Sequence, residues 1–417
     1  MSERGRIDGR PSRGGPTVPP GANGPRGATN GPRGATNGAS GSANGPRGSV
    51  IRPGGASTGT SSRGTSATAP SSGAPVPGED LPREDQTLGT GEPRTSAPRK
   101  VLVTGGAGFI GSHVADGHLA RGDQVWIVDD LSSGKRENLP EGAAFHEMDL
   151  ADPALLDLFR EVEFDLVNHH AAQIDVRISV EDPLKDARVN VLGLLNLLEA
   201  ARRTGTRRVV YVSSGGVVYG EPEERPTPET APKLPLSPYG VSKLSGEHYL
   251  HYYREVHGLE YVALRYSNVY GPRQDPHGEA GVVAIFCQRL LAGQEIHIFG
   301  DGEQTRDYVY VEDVAQANLR AAELELPRGG GLDQRAFNVG TGTGTSVNRL
   351  ADILEAVSGL RTTRSFRAPR KGELRHSTLD VSRLAARGWA PGHSLKEGLR
   401  RTFQHIAGPA ASKAGAR

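Results

Sequence analysis

The stretch that most constrains this chain is an apolar strand that runs directly into a glycine-rich turn and then into a helical pattern. It reads Val101-Leu-Val-Thr-Gly-Gly-Ala-Gly-Phe-Ile-Gly111, and its glycines fit both Gly105-x-x-Gly108-x-x-Gly111 and Gly106-x-Gly108-x-x-Gly111. Glycine leaves out the side chain where the backbone must turn tightly or approach a pyrophosphate, and the helix N-terminus faces the same anion. This order of elements predicts the start of a dinucleotide-binding fold.

A carboxylate follows the next apolar run. Val125-Trp-Ile-Val128 ends in Asp129, eighteen residues after Gly111, where the ribose 2′-hydroxyl of a dinucleotide needs an acceptor. Because its negative charge disfavours a 2′-phosphate, the pattern predicts NAD as the cofactor. The turn residues that we expect to contact NAD are Gly105, Gly108, Phe109, Ile110 and Gly111.

Composition changes sharply near Pro98. Residues 1–98 consist mainly of Gly, Pro, Ser, Ala, Thr and Arg and contain no Phe, Tyr or Trp, so they cannot bury enough apolar surface to offset chain entropy. We expect a disordered tail, within which a seven-residue repeat occupies 24–30 and 31–37. Its arginines could suggest RNA contact, but the tail lacks aromatic side chains on which bases stack, so we expect no nucleic-acid partner.

After Pro98, apolar strands at 100–104, 124–128, 144–147, 165–169 and 208–213 alternate with helical patterns at 109–121, 152–160 and 183–204. This alternation predicts an α/β fold with a doubly wound parallel sheet of the Rossmann type over residues 99–265. Short strands at 296–299 and 308–311 then lie between helices at 281–292, 312–323 and 346–357. They predict a smaller, mainly substrate-binding C-terminal lobe over 266–405, followed by a disordered end at 406–417.

Cysteine content and hydropathy limit the cellular compartments in which we expect this protein. The single cysteine, Cys287, excludes an intramolecular disulfide framework and suits a reducing compartment. No stretch approaches the length of a membrane span, and the N-terminus lacks an apolar signal core, so we expect a cytoplasmic protein without membrane contact. His169 and His170 would face opposite sides of a strand and have no third ligand at suitable spacing, so we expect no metal site.

A second motif, Ser237-Pro-Tyr239-Gly-Val-Ser-Lys243, predicts the start of a helix with Ser237 as its cap. Tyr239 and Lys243 then share one helix face, where the lysine charge and the positive helix end favour phenolate over phenol. Tyr239 could therefore act as a base near neutral pH. Taken alone, the spacing is also met by a surface tyrosine and lysine.

The strand that begins at Val209 ends in Ser213 and Ser214, at the carboxyl edge where ligands bind in such sheets. Together, the glycine turn, Ser214, Tyr239 and Lys243 resemble the extended short-chain dehydrogenase/reductases over about residues 99–405, and within them the UDP-glucose 4-epimerases. The blocks that carry this resemblance are Asp129-Asp-Leu-Ser-Ser-Gly134, His170-Ala-Ala-Gln-Ile-Asp-Val-Arg177, Asn190-Val-Leu-Gly193, Leu264-Arg-Tyr-Ser-Asn268-Val-Tyr-Gly-Pro-Arg273 and Arg306-Asp-Tyr-Val309.

The resemblance implies an NAD-dependent isomerase that interconverts UDP-glucose and UDP-galactose through a 4-keto intermediate, with Ser214, Tyr239 and Lys243 as catalytic residues. It also implies a homodimer through the helices at 183–204 and 239–255. The implied contacts are Asp149 and Leu150 at the adenine; Ala171, Asn190 and Tyr266 at the nicotinamide side; Asn268, Arg306 and Arg370 at the diphosphate; and Ser377 beside the C2 substituent of the sugar. The small Ser377 predicts that the N-acetylated sugar pair is also accepted.

Two positions depart from the pattern of these epimerases. Their catalytic Ser or Thr often stands four residues before a Tyr-Gly pair, where this chain has Gly215, so Ser214 is assigned by allowing one inserted glycine and Ser213 is the alternative. Where many relatives have His, this chain has Tyr310, from which we expect only a change in packing.

Other functions remain open at this point. A nucleotide-sugar 4,6-dehydratase would need an acid pair just after the strand-end hydroxyl, where this chain has Gly215, Gly216 and Val217. A UDP-glucuronate decarboxylase or 4-epimerase would share most of the scaffold. An NAD-sensing interaction protein without catalysis would tend to lose Tyr239 and Lys243, both of which are present.

Overall fold

The computed structural model describes residues 98–276, 281–370 and 374–408. The disordered tail predicted for residues 1–98 lies, apart from Pro98, outside the described residues, as does the predicted disordered end from residue 409.

Strands and helices alternate along most of the described chain. The strands are β1 Lys100–Thr104, β2 Gln124–Asp129, β3 Ala144–Glu147, β4 Leu166–His169, β5 Arg208–Ser214, β6 Glu260–Tyr266, β7 Asn268–Tyr270, β8 Ile296–Phe299, β9 Thr305–Tyr310, β10 Ala336–Val339, β11 Gly344–Ser346, β12 Arg364–Arg367 and β13 His376–Ser377. The α-helices are α1 Phe109–Ala120, α2 Leu155–Val162, α3 Val176–Glu181, α4 Pro183–Ala187, α5 Gly193–Thr204, α6 Pro238–His257, α7 Val282–Leu291, α8 Val311–Ala321, α9 Val347–Ser358, α10 Ser382–Ala385 and α11 Leu395–Ala407.

Seven parallel strands form the main sheet, in the order β10-β6-β5-β4-β1-β2-β3. Two apolar clusters flank it. One joins the sheet to α2, α5 and α6 through side chains such as Leu155, Leu197 and Leu250, and the other joins it to α1 and α8 through Ala115 and Val314. The strands are apolar because both faces of the sheet are covered. The predicted doubly wound fold is confirmed; this sheet with its flanking helices is called the first lobe below.

The second lobe contains a four-stranded sheet of β7, β9, β11 and β13 and the strand pair β8–β12. Helices α7, α9 and α11 pack on it around Phe286, Leu350 and Phe403. The chain crosses between the two lobes more than once, not only at the predicted boundary near residue 266. After that boundary, α8 packs in the core of the first lobe and β10 returns to the main sheet.

Two details differ from the sequence-based predictions. The helix predicted over 183–204 is interrupted by a π-helical turn, Arg188–Leu192, between α4 and α5. The predicted start of the disordered end, residue 406, lies too early in the chain, because Ile406 and Ala407 belong to α11 and pack against the core of the second lobe. No helix of the described chain is long and apolar enough to cross a membrane.

Candidate active site

A cavity of about 660 Å³ lies at the carboxyl ends of the strands of the main sheet and reaches the second lobe. Most residues that the sequence predicted as functional line its wall. These are Gly105, Gly108, Phe109, Ile110, Gly111, Asp129, Asp149, Leu150, Ala171, Ser214, Tyr239, Lys243, Tyr266, Asn268, Arg306 and Arg370. The fold therefore brings together residues that are up to 265 positions apart in the chain.

The glycine turn is shaped to leave its backbone exposed to the cavity. Gly105 has a φ of +67°, and its amide donates to the carbonyl of Val128 at 2.8 Å. A Cβ atom at Gly111 would lie 2.2 Å from the carbonyl oxygen of Gly105. No side chain caps the first turn of α1, which begins after Gly108, so its amide groups remain available to an anion. This arrangement fits the pyrophosphate of a dinucleotide.

Asp129 ends β2 at the same side of the cavity. Its Oδ2 atom accepts a hydrogen bond from the amide of Ala107 at 3.0 Å, and its Oδ1 atom accepts one from the amide of Leu131 at 2.9 Å. Burial raises the pKa of this carboxyl, although the two amides oppose the shift. Each carboxylate oxygen has a further lone pair, so the group can still accept a ribose hydroxyl.

Tyr239 and Lys243 lie in the first turns of α6, where the Ser237 hydroxyl accepts a hydrogen bond from the amide of Gly240 at 3.2 Å. The Lys243 ammonium is 5.8 Å from the centre of the Tyr239 ring and donates to the carbonyl of Val212 at 3.0 Å. Burial lowers the pKa of Lys243 to about 8. The tyrosine thus has a buried cation beside it, as general base catalysis by a phenolate requires.

The two serines at the end of β5 have different surroundings. Both border the cavity, but Ser213 is only 1% exposed, and its hydroxyl donates to Glu247 Oε1 at 2.6 Å. The Glu247 carboxylate is itself bound by the buried Arg265 guanidinium. The hydroxyl of Ser213 is therefore bound to Glu247 and does not point to a ligand in the cavity. The geometry favours Ser214 as the serine whose hydroxyl contacts a ligand.

Gly215, where many relatives of the resembled family carry the hydroxyl, has no room for a side chain. A Cβ atom there would lie 2.5 Å from Leu379 Cδ1, and Leu379 is buried in a small apolar cluster with Val218 and Tyr219. A serine at this position would require Leu379 to move.

Two residues that the sequence predicted as functional do not line the cavity. Asn190 lies in the π-helical turn, where its amide accepts a hydrogen bond from Gln173 N at 2.9 Å and donates to Gln173 O at 2.9 Å. It therefore supports the loop after β4. Ser377 is 7% exposed on β13, opposite Arg306 of β9 in the strand register.

The second-lobe side of the cavity is cationic and aromatic. Arg370 stacks over the Phe299 ring at 3.9 Å from its centre, and Arg306 donates to the carbonyl of Thr305 at 2.8 Å. Sequence reasoning missed Arg289 and His297, which also line this side. For His297 the available signal was its polar side chain between the apolar residues of strand 296–299, but nothing in that spacing indicates a ligand.

Among residues 98–276, 281–370 and 374–408, no group of three or more His, Cys, Asp or Glu side chains is arranged to hold a metal ion.

Comparison with known proteins gives a consistent result. Residues 101–340 match the model of the NAD dependent epimerase/dehydratase family. The chain is 48% identical over 311 residues to a UDP-glucose 4-epimerase of Mycolicibacterium smegmatis, an alignment that covers 73% of this chain and 97% of the relative.

Solved structures show the same similarity. The UDP-glucose 4-epimerase of Thermotoga maritima, solved with UDP-glucose, has a TM-score of 0.71 at 48% identity, over 74% of this chain and 98% of that one. The enzyme of Thermus thermophilus in complex with NAD has a TM-score of 0.70 at 47% identity, over 74% and 99%. A UDP-N-acetylglucosamine 4-epimerase of Methanobrevibacter ruminantium, in complex with UDP-N-acetylmuramic acid, has a TM-score of 0.70 at 37% identity, over 75% and 99%.

Proposed function

The chain belongs to the NAD-dependent epimerase/dehydratase family, and we propose that it is an NAD-dependent epimerase that interconverts UDP-glucose and UDP-galactose. One observation carries this proposal: the Tyr239 phenol and the buried Lys243 ammonium border the same cavity as the glycine turn and as Arg306. The wall of this cavity carries groups that suit a dinucleotide on the side of the first lobe and a second anionic ligand on the side of the second lobe.

The residues of the first lobe fit NAD. Gly105, Gly108 and Gly111 leave room for its pyrophosphate, and Asp129 can accept its ribose hydroxyl. Bound NAD supplies a hydride acceptor and, in the return step, a hydride donor. The further contacts proposed on the cavity wall are Phe109 and Ile110 at the turn, Asp149 and Leu150 at the adenine, and Ala171 and Tyr266 at the nicotinamide side.

The chain's own residues handle the proton and the substrate. Tyr239 Oη takes the proton of the sugar 4-hydroxyl and later returns it, while Ser214 donates a hydrogen bond to the same oxygen. Lys243 stabilises the phenolate. Arg306 and Arg370, with Asn268, bind the diphosphate, since guanidinium groups pair well with phosphate oxygens. Anchored there, the 4-keto sugar can turn over and present its other face.

The test is incubation of the purified full chain with a panel of UDP-sugars and identification of the products by NMR. Inversion at C4 with no net oxidation is the expected result, and Tyr239→Phe should lower turnover by orders of magnitude while NAD still binds. A 4,6-dehydrated or a decarboxylated product, or near-normal turnover by Tyr239→Phe, would contradict the proposal.

Acceptance of the N-acetylated sugar pair is a second proposed activity. Its support is the likeness to the Methanobrevibacter ruminantium enzyme. Turnover of UDP-N-acetylglucosamine in the same NMR panel is expected. If only UDP-glucose reacts, this extension is wrong.

A homodimer is proposed because α3, α4, the π-helical turn and α6 carry exposed apolar side chains. Val180, Leu184, Leu192, Tyr252 and Val256 are each 48–82% exposed. Such a patch is typical of protein interfaces. Light scattering should give twice the chain mass, and Leu184→Asp should lower it. The cytoplasmic location stays a prediction from the sequence.

A further inference from the structure

A buried carboxylate that the reaction scheme does not use lies behind α6. Asp186, at the end of α4, is fully buried. Its Oδ2 atom accepts a hydrogen bond from Ser242 Oγ at 2.5 Å, and Ser242 directly precedes Lys243. Its Oδ1 atom accepts hydrogen bonds from Asn190 Nδ2 at 3.0 Å and from Gln173 Nε2 at 3.1 Å. Asp186 therefore contacts both α6, the helix that carries Tyr239 and Lys243, and the segment after β4.

The segment after β4 is a wall of the cavity. It borders the cavity through His170, Ala171 and Ala172, and Gln173 follows them directly. Gln173 is fixed from both sides of its backbone by Asn190, which lies in the π-helical turn. Such turns within α-helical segments are frequent at functional sites. Asp186 thus joins two walls of the cavity through a single carboxylate.

Hydrogen bonding alone does not explain a carboxylate at this position. An asparagine could satisfy the same three partners, whereas burying a charge is costly unless an opposite charge compensates it. The opposite charge near Asp186 is the ammonium of Lys243, which is buried at 2% exposure. Burial lowers the pKa of Lys243, and the negative charge of Asp186 opposes that shift.

The other groups around Lys243 do not replace this charge. The rings of Tyr211 on β5 and Tyr239 on α6 lie 5.3 and 5.8 Å from its ammonium. His169, the last residue of β4, and His170, directly after it, are kept neutral, because burial and then the Lys243 charge lower the pKa of each. Glu247, one turn further along α6, is already bound by Arg265 and Ser213.

We propose that Asp186 is a positioning residue of the reaction: it holds α6 against the loop after β4, and its charge keeps Lys243 protonated beside Tyr239. The proposal rests on the epimerase function proposed above. Asp186 acts through Lys243 and does not itself contact the substrate.

The decisive variant is Asp186→Asn, which keeps the size and the three hydrogen bonds, with the new amide donating to Ser242, but removes the charge. Lys243 should then lose its proton at lower pH. The descending, basic limb of the pH profile of kcat/KM should move to lower pH by about one unit. A purely structural role would lower kcat without moving this limb, and an unmoved limb overturns the proposal.

Two controls separate charge from packing. Glu247→Gln neutralises a different buried carboxylate, on α6, the helix that carries Lys243. Ser242→Ala removes one hydrogen bond of Asp186 but leaves its charge. Neither should move the basic limb; a shift as large as that of Asp186→Asn in either one counts against the proposal. If Asp186→Asn does not fold, Asp186→Glu and Asp186→Gln can be compared instead, because their side chains have the same size and differ in charge. The basic limb of the Gln variant should then lie at lower pH than that of the Glu variant.

A second readout does not depend on turnover. The chain has eight lysines, so carbon-13 labelling of their Cε atoms and an NMR pH titration can follow Lys243, assigned through the lost signal in Lys243→Arg. Its titration midpoint should fall in Asp186→Asn, and an unchanged midpoint overturns the proposal. If the wild type does not epimerise UDP-glucose, the proposed function fails, while the titration still decides whether Asp186 acts on Lys243.

Discussion

At the scale of single residues, the two serines that end β5 show how a neighbour decides which hydroxyl can react. Ser213 donates to a carboxylate that Arg265 already holds, and moving it would leave buried polar groups without partners. Ser214, the next residue, lies on the cavity wall. The sequence left both serines open, because Glu247, which accepts the hydrogen bond of Ser213, lies 34 positions further along the chain.

Ser214→Ala should therefore lower kcat by about 10²- to 10³-fold, the usual effect of removing one hydrogen-bond donor to a reacting oxygen. Ser213→Ala should cost about 1.5–3 kcal/mol of unfolding free energy, because its hydroxyl binds a charged group, and should leave kcat within a few-fold. Steady-state kinetics and urea unfolding of both variants measure these effects. The reverse pattern, with kcat lost in Ser213→Ala and kept in Ser214→Ala, would assign the catalytic hydroxyl to Ser213.

Lys243 also predicts the pH dependence of the wild type. Burial lowers the pKa of Lys243 to about 8, so its ammonium is present below that pH and is lost above it. Because the ammonium stabilises the phenolate of Tyr239, kcat/KM should fall as the pH rises through about 8. The measurement is a pH profile between 6 and 10, with circular dichroism at each pH to confirm that the protein stays folded. A rate that stays level up to pH 10 would refute this role for Lys243.

At the scale of elements, the start of α6 was predictable because its cap is local: Ser237, Pro238 and the motif after them lie next to each other in the chain. The glycine turn was predictable for the same reason. The π-helical turn between α4 and α5 was not, because it accompanies contacts that Asn190 and Asp186 make with other segments. Nor could sequence spacing place Ser377, whose position depends on pairing with β9.

The cap of α6 yields a prediction with a matched control. Ser237→Ala and Ser394→Ala each remove a hydroxyl that accepts a hydrogen bond from a helix amide, in α6 and α11 respectively. Each should cost about 1 kcal/mol of unfolding free energy, measured by urea denaturation. Only Ser237→Ala should also lower kcat, several-fold, because Tyr239 lies in the turn that the cap fixes. Equal losses of kcat in both variants would mean that the cap does not position Tyr239.

At the scale of the whole molecule, the two lobes share the chain in a way that composition and periodicity do not reveal. The strand β10 pairs with β6 across about 70 positions, and α8, which directly follows β9 of the second lobe, packs in the core of the first. Arg306 of β9 is thereby held between the two lobes, at the wall of the cavity. We infer that neither lobe can unfold without releasing elements of the other.

This interleaving predicts one cooperative unfolding transition. The two tryptophans, Trp126 and Trp389, both pack in the first lobe, whereas Leu350 is fully buried in the second. Leu350→Ala should cost about 2–5 kcal/mol by leaving a cavity, and its lower melting temperature should appear equally in tryptophan fluorescence and in circular dichroism. Leu360→Ala, at a position 38% exposed, should leave both signals nearly unchanged. If Leu350→Ala lowers the circular dichroism midpoint while the fluorescence midpoint stays in place, the lobes unfold separately. The cavity between them would then open before the first lobe melts.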